Sequence, residues 1–294
     1  MDEFDFQILK ILDKNCRISY SKISQLLNVS VRNISRRVEN ILATGVIEKF
    51  KISFNYNRLG FRQHIAFLQP PKKKDIYGFF NELSNVPEIE RIWYQLDGGY
   101  TFTIFSKNAK HLEDINIELL KIGAALTGRA EVRMHLPGDI PFSLMDWKII
   151  YYMFDNSRAS IAEIALDLDV SEKTISRRLK RLENMRLIQY TLVINFEKII
   201  EMSTGIASFE TVGPSKNIYG KIKKTKSIKY WRNAGSVSPS IVLFLYGKNI
   251  TEIYDMYAML AAYEDIKTSR LSIVVKNQEN SSLIKDEIYK KILT

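Results

Sequence analysis

The chain has 294 residues, of which 46% are apolar and 26% charged, with a formal net charge of +10. Ample apolar material excludes a disordered polymer, and the sequence has no run of about 18 apolar residues of the kind that spans a membrane. A single cysteine, Cys16, excludes an internal disulfide and a cysteine-rich metal centre, while the basic balance favours a polyanionic partner.

The opening MDEFDFQILK is acidic and turns straight into an amphipathic pattern, unlike a signal or transit peptide, so a cytoplasmic protein is expected. Phe4, Ile8, Ile11 and Leu12 share one face of a first helix. A second helix is expected over 21–27, a turn at Asn28-Val29-Ser30, and a third helix over 31–43 with Ser30 as its N-cap. Two short helices around a tight turn fit a helix-turn-helix, and the alternating run 46–54 fits a wing strand. Strand, helix, strand, strand, helix and strand follow at 61–69, 75–84, 89–95, 100–106, 109–121 and 129–135, the order of a ferredoxin-like sandwich. The segment 136–143, with Pro137, Gly138 and Pro141, punctuates the chain.

The same succession then begins again. Met145, Ile149, Tyr152 and Met153 share a helical face, opened by Ser143 and Asp146 in the manner of a capping box. Helices over 161–168 and 172–185 flank Asp169-Val170-Ser171, and a wing strand runs over 187–196. Six further elements fall at 205–211, 215–225, 228–232, 241–247, 249–262 and 268–275, and a last helix at 281–293. The two halves align without gaps at a spacing of 141 residues. Asp5, Ile8, Asn15, Arg17, Ser19, Ile23, Leu27, Val29, Ser30, Ile34, Ser35, Arg36, Arg37 and Ile47 all recur 141 positions later. The expected architecture is therefore an α+β tandem duplication: winged helix-turn-helix domains at 1–58 and 142–198, and ferredoxin-like βαββαβ domains at 59–137 and 199–294, the latter including the C-terminal helix.

On a 100° wheel Ile34, Val38 and Ile41 form the core stripe of the third helix, with Arg32 and Arg36 nearly opposite, Asn33 and Asn40 beside them and Arg37 on the flank. In the second copy Ile175, Leu179 and Leu182 are the stripe, Lys173, Arg177 and Arg181 lie opposite, and Thr174 and Arg178 flank them. Arginine can hold guanine through two hydrogen bonds and asparagine can do the same for adenine. Ser30 and Ser171 leave free N–H groups at a positive helix end, which suits a phosphate. A basic outer face on one helix is commonly just solvated; the arginine pair recurring while most exposed neighbours differ favours double-stranded DNA as the partner. The DNA-binding set is thus Ser30, Arg32, Asn33, Arg36, Arg37 and Asn40 with Ser171, Lys173, Thr174, Arg177, Arg178 and Arg181.

The opening Asp5, the turn Asn28-Val29-Ser30, the core Ile34-Ser35-Arg36-Arg37-Val38 and the run Gly45-Val46-Ile47 resemble the N-terminal domain of the Lrp/AsnC (feast/famine) transcriptional regulators. The resemblance implies that the third helix of each copy enters a major groove and that each α+β domain is a ligand-sensing, dimerising module. Family members carry one unit per chain, so a fused pair implies one polypeptide doing the work of a dimer. A homodimer of fused chains would carry four helix-turn-helix units and read a palindrome of imperfect repeats. An amino-acid-like effector would meet Asp97, Gly98, Gly99 and Tyr100, although Thr101 stands where the family has an acid and the second copy's loop at 235–240 differs in length.

No cofactor is expected. His64, His111, His135 and Cys16 lack ligand-spaced companions and read as ordinary surface or interface residues, and the aromatics Trp93, Tyr94, Tyr230 and Trp231 as core. Siroheme decarboxylases resemble the same fold and pair two such units, with His, Tyr and Arg grouped around the tetrapyrrole; the stretches 92–96 and 229–233 contain no histidine. An architectural DNA binder with little sequence preference is the other alternative; on either DNA-binding reading the expected place is the cytoplasm, associated with the nucleoid. A third basic cluster, Lys216, Lys221, Lys223, Lys224, Lys226, Lys229 and Arg232, lies outside the helix-turn-helix segments.

Overall fold

A computed structural model of the chain describes residues 1–69, 75–132, 136–137, 139–225, 229–235 and 240–294. In chain order the first half comprises α1 (Glu3–Lys14), α2 (Tyr20–Leu27), α3 (Val31–Ala43), β1 (Ile47–Phe54), a 3-10 turn (Tyr56–Leu59), β2 (Arg62–Gln69), α4 (Ile76–Ser84), β3 (Ile89–Gln95), β4 (Tyr100–Ser106), α5 (Ala109–Lys121) and β5 (Ala125–Val132). The second half repeats this with α6 (Leu144–Met153), α7 (Ile161–Asp167), α8 (Glu172–Asn184), β6 (Ile188–Ile194), a 3-10 turn (Phe196–Lys198), β7 (Ser203–Thr211), α9 (Ser215–Lys224), β8 (Tyr230–Gly235), β9 (Ser240–Gly247), α10 (Ile250–Ala261) and β10 (Ile266–Glu279), and ends in α11 (Ser282–Leu293). No helix among the described residues is long and apolar enough to cross a membrane.

The chain forms two compact units, each drawn from both halves. One comprises Asp2–Phe61, Met134–Lys198 and Ser281–Thr294 and holds both helix-turn-helix segments. Serines start their helices: Ser19, Ser30, Ser160 and Ser171 each accept the backbone N–H three residues on. At the α2–α3 and α7–α8 turns Asn28 (φ 55°) and Asp169 (φ 50°) adopt the left-handed conformation, which short polar side chains tolerate best among residues other than glycine. The stripes Ile34, Val38, Ile41 and Ile175, Leu179, Leu182 are buried as their spacing requires, each worth about 1.5–3 kcal/mol.

The wing strands do not form hairpins of their own. β1 pairs antiparallel with β6, so each half completes the other. Phe50 faces Leu192 and Lys51 faces Thr191; Lys49 faces Val193 and Ile52 faces Tyr190. Adding 141 to the first-half member of one pair and subtracting 141 from its partner gives the other pair, so the register is self-complementary and a pseudo-dyad passes through the ribbon. The surrounding contacts obey the same operator. Cys16 Sγ and its repeat counterpart Ser157 Oγ meet at 3.0 Å. Arg17 Nη1 donates to the carbonyls of Ser157 and Ala159 (both 2.7 Å), and Arg158 Nη1 donates to that of Cys16 (2.9 Å). Arg17 also covers the Tyr190 ring, while Arg158 covers Tyr20 and Phe50. Symmetry ends at α11. It packs on α6 through buried Ile284 and Ile288, with Tyr151 and Tyr289 in ring contact. The positions of α1 that correspond to Tyr151 and Asp155 are Lys10 and Lys14.

The other unit comprises Met1, Arg62–Arg133 and Ile199–Asn280. Its eight strands run β5-β2-β4-β3-β10-β7-β9-β8, all neighbouring pairs antiparallel. Each half contributes four strands in the ferredoxin-like order, and β10 links them by pairing with β7 along Ile266–Ile273 and with β3 from Val274 onward. On one face of each half the helices are packed: Phe79, Phe80, Leu83, Leu112, Ile115 and Leu119 cover the first, and Ile218, Ile222, Ile253, Met256 and Leu260 the second. Gly205 on β7 makes the second packing close, since a Cβ there would stand 2.9 Å from Ile253 Cγ2. The opposite faces are buried too, at Trp93, Thr101, Phe105, Val242, Phe244 and Tyr246. Trp93 and Phe244 lie in ring contact at 5.2 Å, although β3 and β9 are three places apart and would be about 14 Å distant in a flat sheet. The sheet is therefore strongly curved between β3 and β9.

Candidate nucleic-acid interface

The outer faces of α3 and α8 carry basic groups without partners. Arg32, Arg36 and Asn40 on α3 and Lys173, Arg177 and Lys180 on α8 are exposed, and among the described residues none of them has a hydrogen-bond or ion-pair partner. Lys180 was not singled out from the sequence as a site residue; its place three residues after Arg177, on the same side, was the available signal. Ser30 and Ser171 stand at the helix starts as expected, accepting from Asn33 N and Thr174 N. Ser171 and Thr174 also share a side-chain hydrogen bond of 2.9 Å.

The second arginine of each pair is turned elsewhere. Arg37 Nη1 donates to Asp5 Oδ1 at 2.6 Å and to Asp2 Oδ2 at 2.9 Å, and its Nε donates to Asn33 Oδ1 at 3.1 Å. Its guanidinium also lies over the Phe4 ring. Arg178 Nη1 donates to Ser143 Oγ (2.7 Å) and Asp146 Oδ1 (3.1 Å), and Arg181 Nη1 donates to Asp146 Oδ2 (3.1 Å). Arg178 Nε is buried with no partner among the described residues. Sequence spacing placed Arg37, Arg178 and Arg181 on the outward, DNA-facing side; in the structure Arg37 and Arg178 are half-buried and tie the third helix to the capping-box acids of the first. Arg181 divides its role, paired to Asp146 yet still 42% exposed. Asp146 itself is fully buried. Partial burial would raise the Asp2 carboxyl, but the Asp5 amide and the Arg37 guanidinium outweigh it and hold Asp2 below the usual carboxylate range. The Asp5 side chain, followed by Asp2, keeps Arg37 firmly protonated.

In the sheet unit Asp97, Gly98 and Gly99 form the β3–β4 hairpin, with Gly98 at φ 81°. Asp97 Oδ2 accepts from Arg270 Nη2 (2.7 Å) and Ser272 Oγ (3.3 Å), and its Oδ1 from the Gly99 amide. Burial acts to raise its carboxyl, and these donors, Arg270 foremost, hold it below the usual range. Tyr100, expected beside an effector, is instead a core residue, packed against Phe79, Phe80 and Tyr94, and burial pushes its phenol well above the ordinary value. The second copy's loop at 236–239, His135, Lys226 and the side chains of Lys216, Lys223, Tyr230, Trp231 and Arg232 lie outside the described residues. Of the remaining third cluster, Lys221 pairs with Asp265 and Lys229 with Glu252, while Lys224 is exposed. His64 is a buried partner of Ser106 rather than a surface group, and His111 pairs with Glu88. No group of three or more metal-ligating side chains occurs among the described residues.

The family model for winged helix-turn-helix DNA-binding domains matches the chain twice, at residues 1–48 and 143–189. An uncharacterized HTH-type transcriptional regulator of Pyrococcus abyssi is 32% identical over 125 residues, 40% of this chain and 78% of that protein. A second from the same organism is 28% identical over 124 residues, 41% of this chain and 83% of that protein. Over 99% of both chains the fold is similar to the crystal structure of the siroheme decarboxylase NirDL, with a TM-score of 0.59 and 14% sequence identity, a likeness of fold alone. Matched regulators thus have the length of one half, and the free arginines sit on the helices their shared domain supplies. The chain belongs to the HTH-type transcriptional regulators with a winged helix-turn-helix DNA-binding domain, and carries that domain twice.

Proposed function

We propose that the chain is a sequence-specific reader of double-stranded DNA that presents two unlike recognition helices, α3 and α8, from one polypeptide, and that it is not an enzyme. The observation that carries this is the self-complementary β1–β6 ribbon, which sets two basic helix faces about a pseudo-dyad without a second chain. The readers on those faces are Arg32 and Arg36 on one side and Lys173, Arg177 and Lys180 on the other, with Asn40 and the shared Arg181 beside them. Ser30 and Ser171 support a phosphate at each helix start. The four segments 1–58, 59–137, 142–198 and 199–294 act as the functional modules, with a homodimer of fused chains closing about a true two-fold. A small, amino-acid-like effector would work through the α+β modules, Asp97 being the exposed polar residue of the turn at Asp97 to Gly99.

The test is titration of the full chain with labelled duplexes, together with genome-wide mapping of bound sites. Arg36→Ala and Arg177→Ala should each weaken binding by about 1–3 kcal/mol at one salt concentration. A recurring palindromic motif whose half-sites are imperfect repeats supports specific reading by the homodimer, two unlike halves without a palindrome support specific reading by a single chain, and uniform coverage supports an architectural binder instead. The whole-chain likeness to a siroheme decarboxylase favours one further check: a haem-like absorption band in purified protein, together with loss of carboxylate from an added tetrapyrrole, would sink the non-enzymatic assignment.

A further inference from the structure

We infer that Asn33 meets its base through its NH2 donors, favouring guanine, because its carbonyl is turned to Arg37. This rests on the DNA-reading assignment above. Asn33 is the third residue of α3, in the first turn, the part of a recognition helix that approaches base edges. A free asparagine recognises adenine by turning one edge of its amide to the base, Oδ1 accepting from N6 and Nδ2 donating to N7. Here Oδ1 accepts from Arg37 Nε at 3.1 Å, and Arg37 is itself fixed by Asp2 and Asp5 through Nη1. An Nε–H can only donate, so the amide orientation is set by chemistry: oxygen towards Arg37, NH2 away from it. Oδ1 keeps a second lone pair, yet the group directed away from Arg37, towards a base, is the NH2 with its two donors. Guanine offers two acceptors, N7 and O6, whereas adenine offers one acceptor beside a donor. Arg37 is then a positioning residue for specificity, acting through Asn33.

The second copy lacks the device. Thr174 stands at the position of Asn33, and its hydroxyl is hydrogen bonded to Ser171 rather than to Arg178. The two helices should therefore write different columns into one binding site, and any change at Asn33 should be confined to the half read by α3.

Selection of the full chain on a randomised duplex pool, followed by sequencing, measures this. The wild type should place guanine at one α3 column, preferred about tenfold over adenine. Asn33→Asp keeps an acceptor for Arg37 but replaces the outward NH2 by an oxygen, so the same column should move to cytosine, whose N4 donates. Arg37→Met releases the carbonyl, and the column should move towards adenine while the α8 columns stay unchanged. A wild-type preference for adenine, or identical columns for wild type and Asn33→Asp, overturns the inference while the affinity losses of Arg36→Ala and Arg177→Ala leave DNA reading intact. A pool with no enriched column, with both arginine variants binding normally, overturns the two together. Should Arg37→Met fail to fold, Asn33→Asp alone decides.

Discussion

Asp146 is fully buried and receives Ser143, Arg178 and Arg181 around its two oxygens, whereas Arg177, one residue from Arg178, has no side-chain partner among the described residues. Adjacent arginines should therefore fail in different ways. Arg178→Ala leaves a buried carboxylate short of a charged donor and should lower stability by about 1–3 kcal/mol, read as a shift of the urea midpoint. Arg177→Ala should leave that midpoint unmoved and weaken DNA binding instead. The same contrast is expected in the first copy between Arg37 and Arg36, with a smaller stability loss because Asp2 is largely exposed. A mutual loss of DNA binding with both midpoints unchanged would contradict the division of labour. The sequence held the clue in a form a single-helix wheel does not use: Asp5 and Arg37 recur together as Asp146 and Arg178. A wheel ranks residues by angle from the core stripe, and it has no knowledge of which acid lies across the gap on another helix.

Among the elements, α4, β3, β4 and α5 of the first half fall within a residue or so of their expected positions, because apolar period and asparagine or aspartate caps coincide there. β5 begins at Ala125, four residues before the run read as a strand. Gly128 sits within the strand, where a Cβ would only touch Phe67. β10 runs to Glu279, past an expected end at 275, through Lys276, Asn277, Gln278 and Glu279. Those polar residues form a strand because β3 supplies the hydrogen bonds, a partner far off in sequence. α11 is likewise legible as a helix but not as a brace. Asp155 joins it to β1, accepting from Lys285 and from Lys49. Burial pulls the Asp155 carboxyl upward, but Lys285 and Lys49 prevail and hold it below its usual value. A depressed carboxyl contributes stability that is complete above the unfolded-state pKa, about 3.9, and is lost as pH falls through the lower folded value. Acid titration below about pH 4 should therefore loosen α11 in the wild type, read by hydrogen exchange of its amides. Asp155→Asn should be looser already at pH 7 and show less additional change in acid.

For the molecule as a whole, the contact between Cys16 and Ser157 offers a direct test of which chain supplies the second half. Ser157→Cys would place two thiols where sulfur and oxygen now lie 3.0 Å apart. Mild oxidation should give a disulfide within one chain, migrating as a monomer of 34.1 kDa without reductant, and should add about 2–4 kcal/mol of stability by closing a long loop. A dimer band would mean that the halves are exchanged between chains. Light scattering on the unmodified protein then asks separately whether fused chains pair: a mass of twice 34.1 kDa is expected at micromolar concentration. The duplication was open to sequence inspection, since fourteen identities recur at one spacing, but the shared ribbon was not, because each strand alternates well enough to suggest a wing of its own. The ribbon alters how such a regulator responds to its own abundance. Two reading heads on one backbone are made in equal number and dilution never parts them, so the local concentration of the second head is fixed once the first is bound. Occupancy of a two-part site should rise in proportion to the number of molecules in the cell rather than to its square, with no threshold at low expression. Neither head can be captured by a foreign half, and each is free to change its preferred bases without dragging the other along.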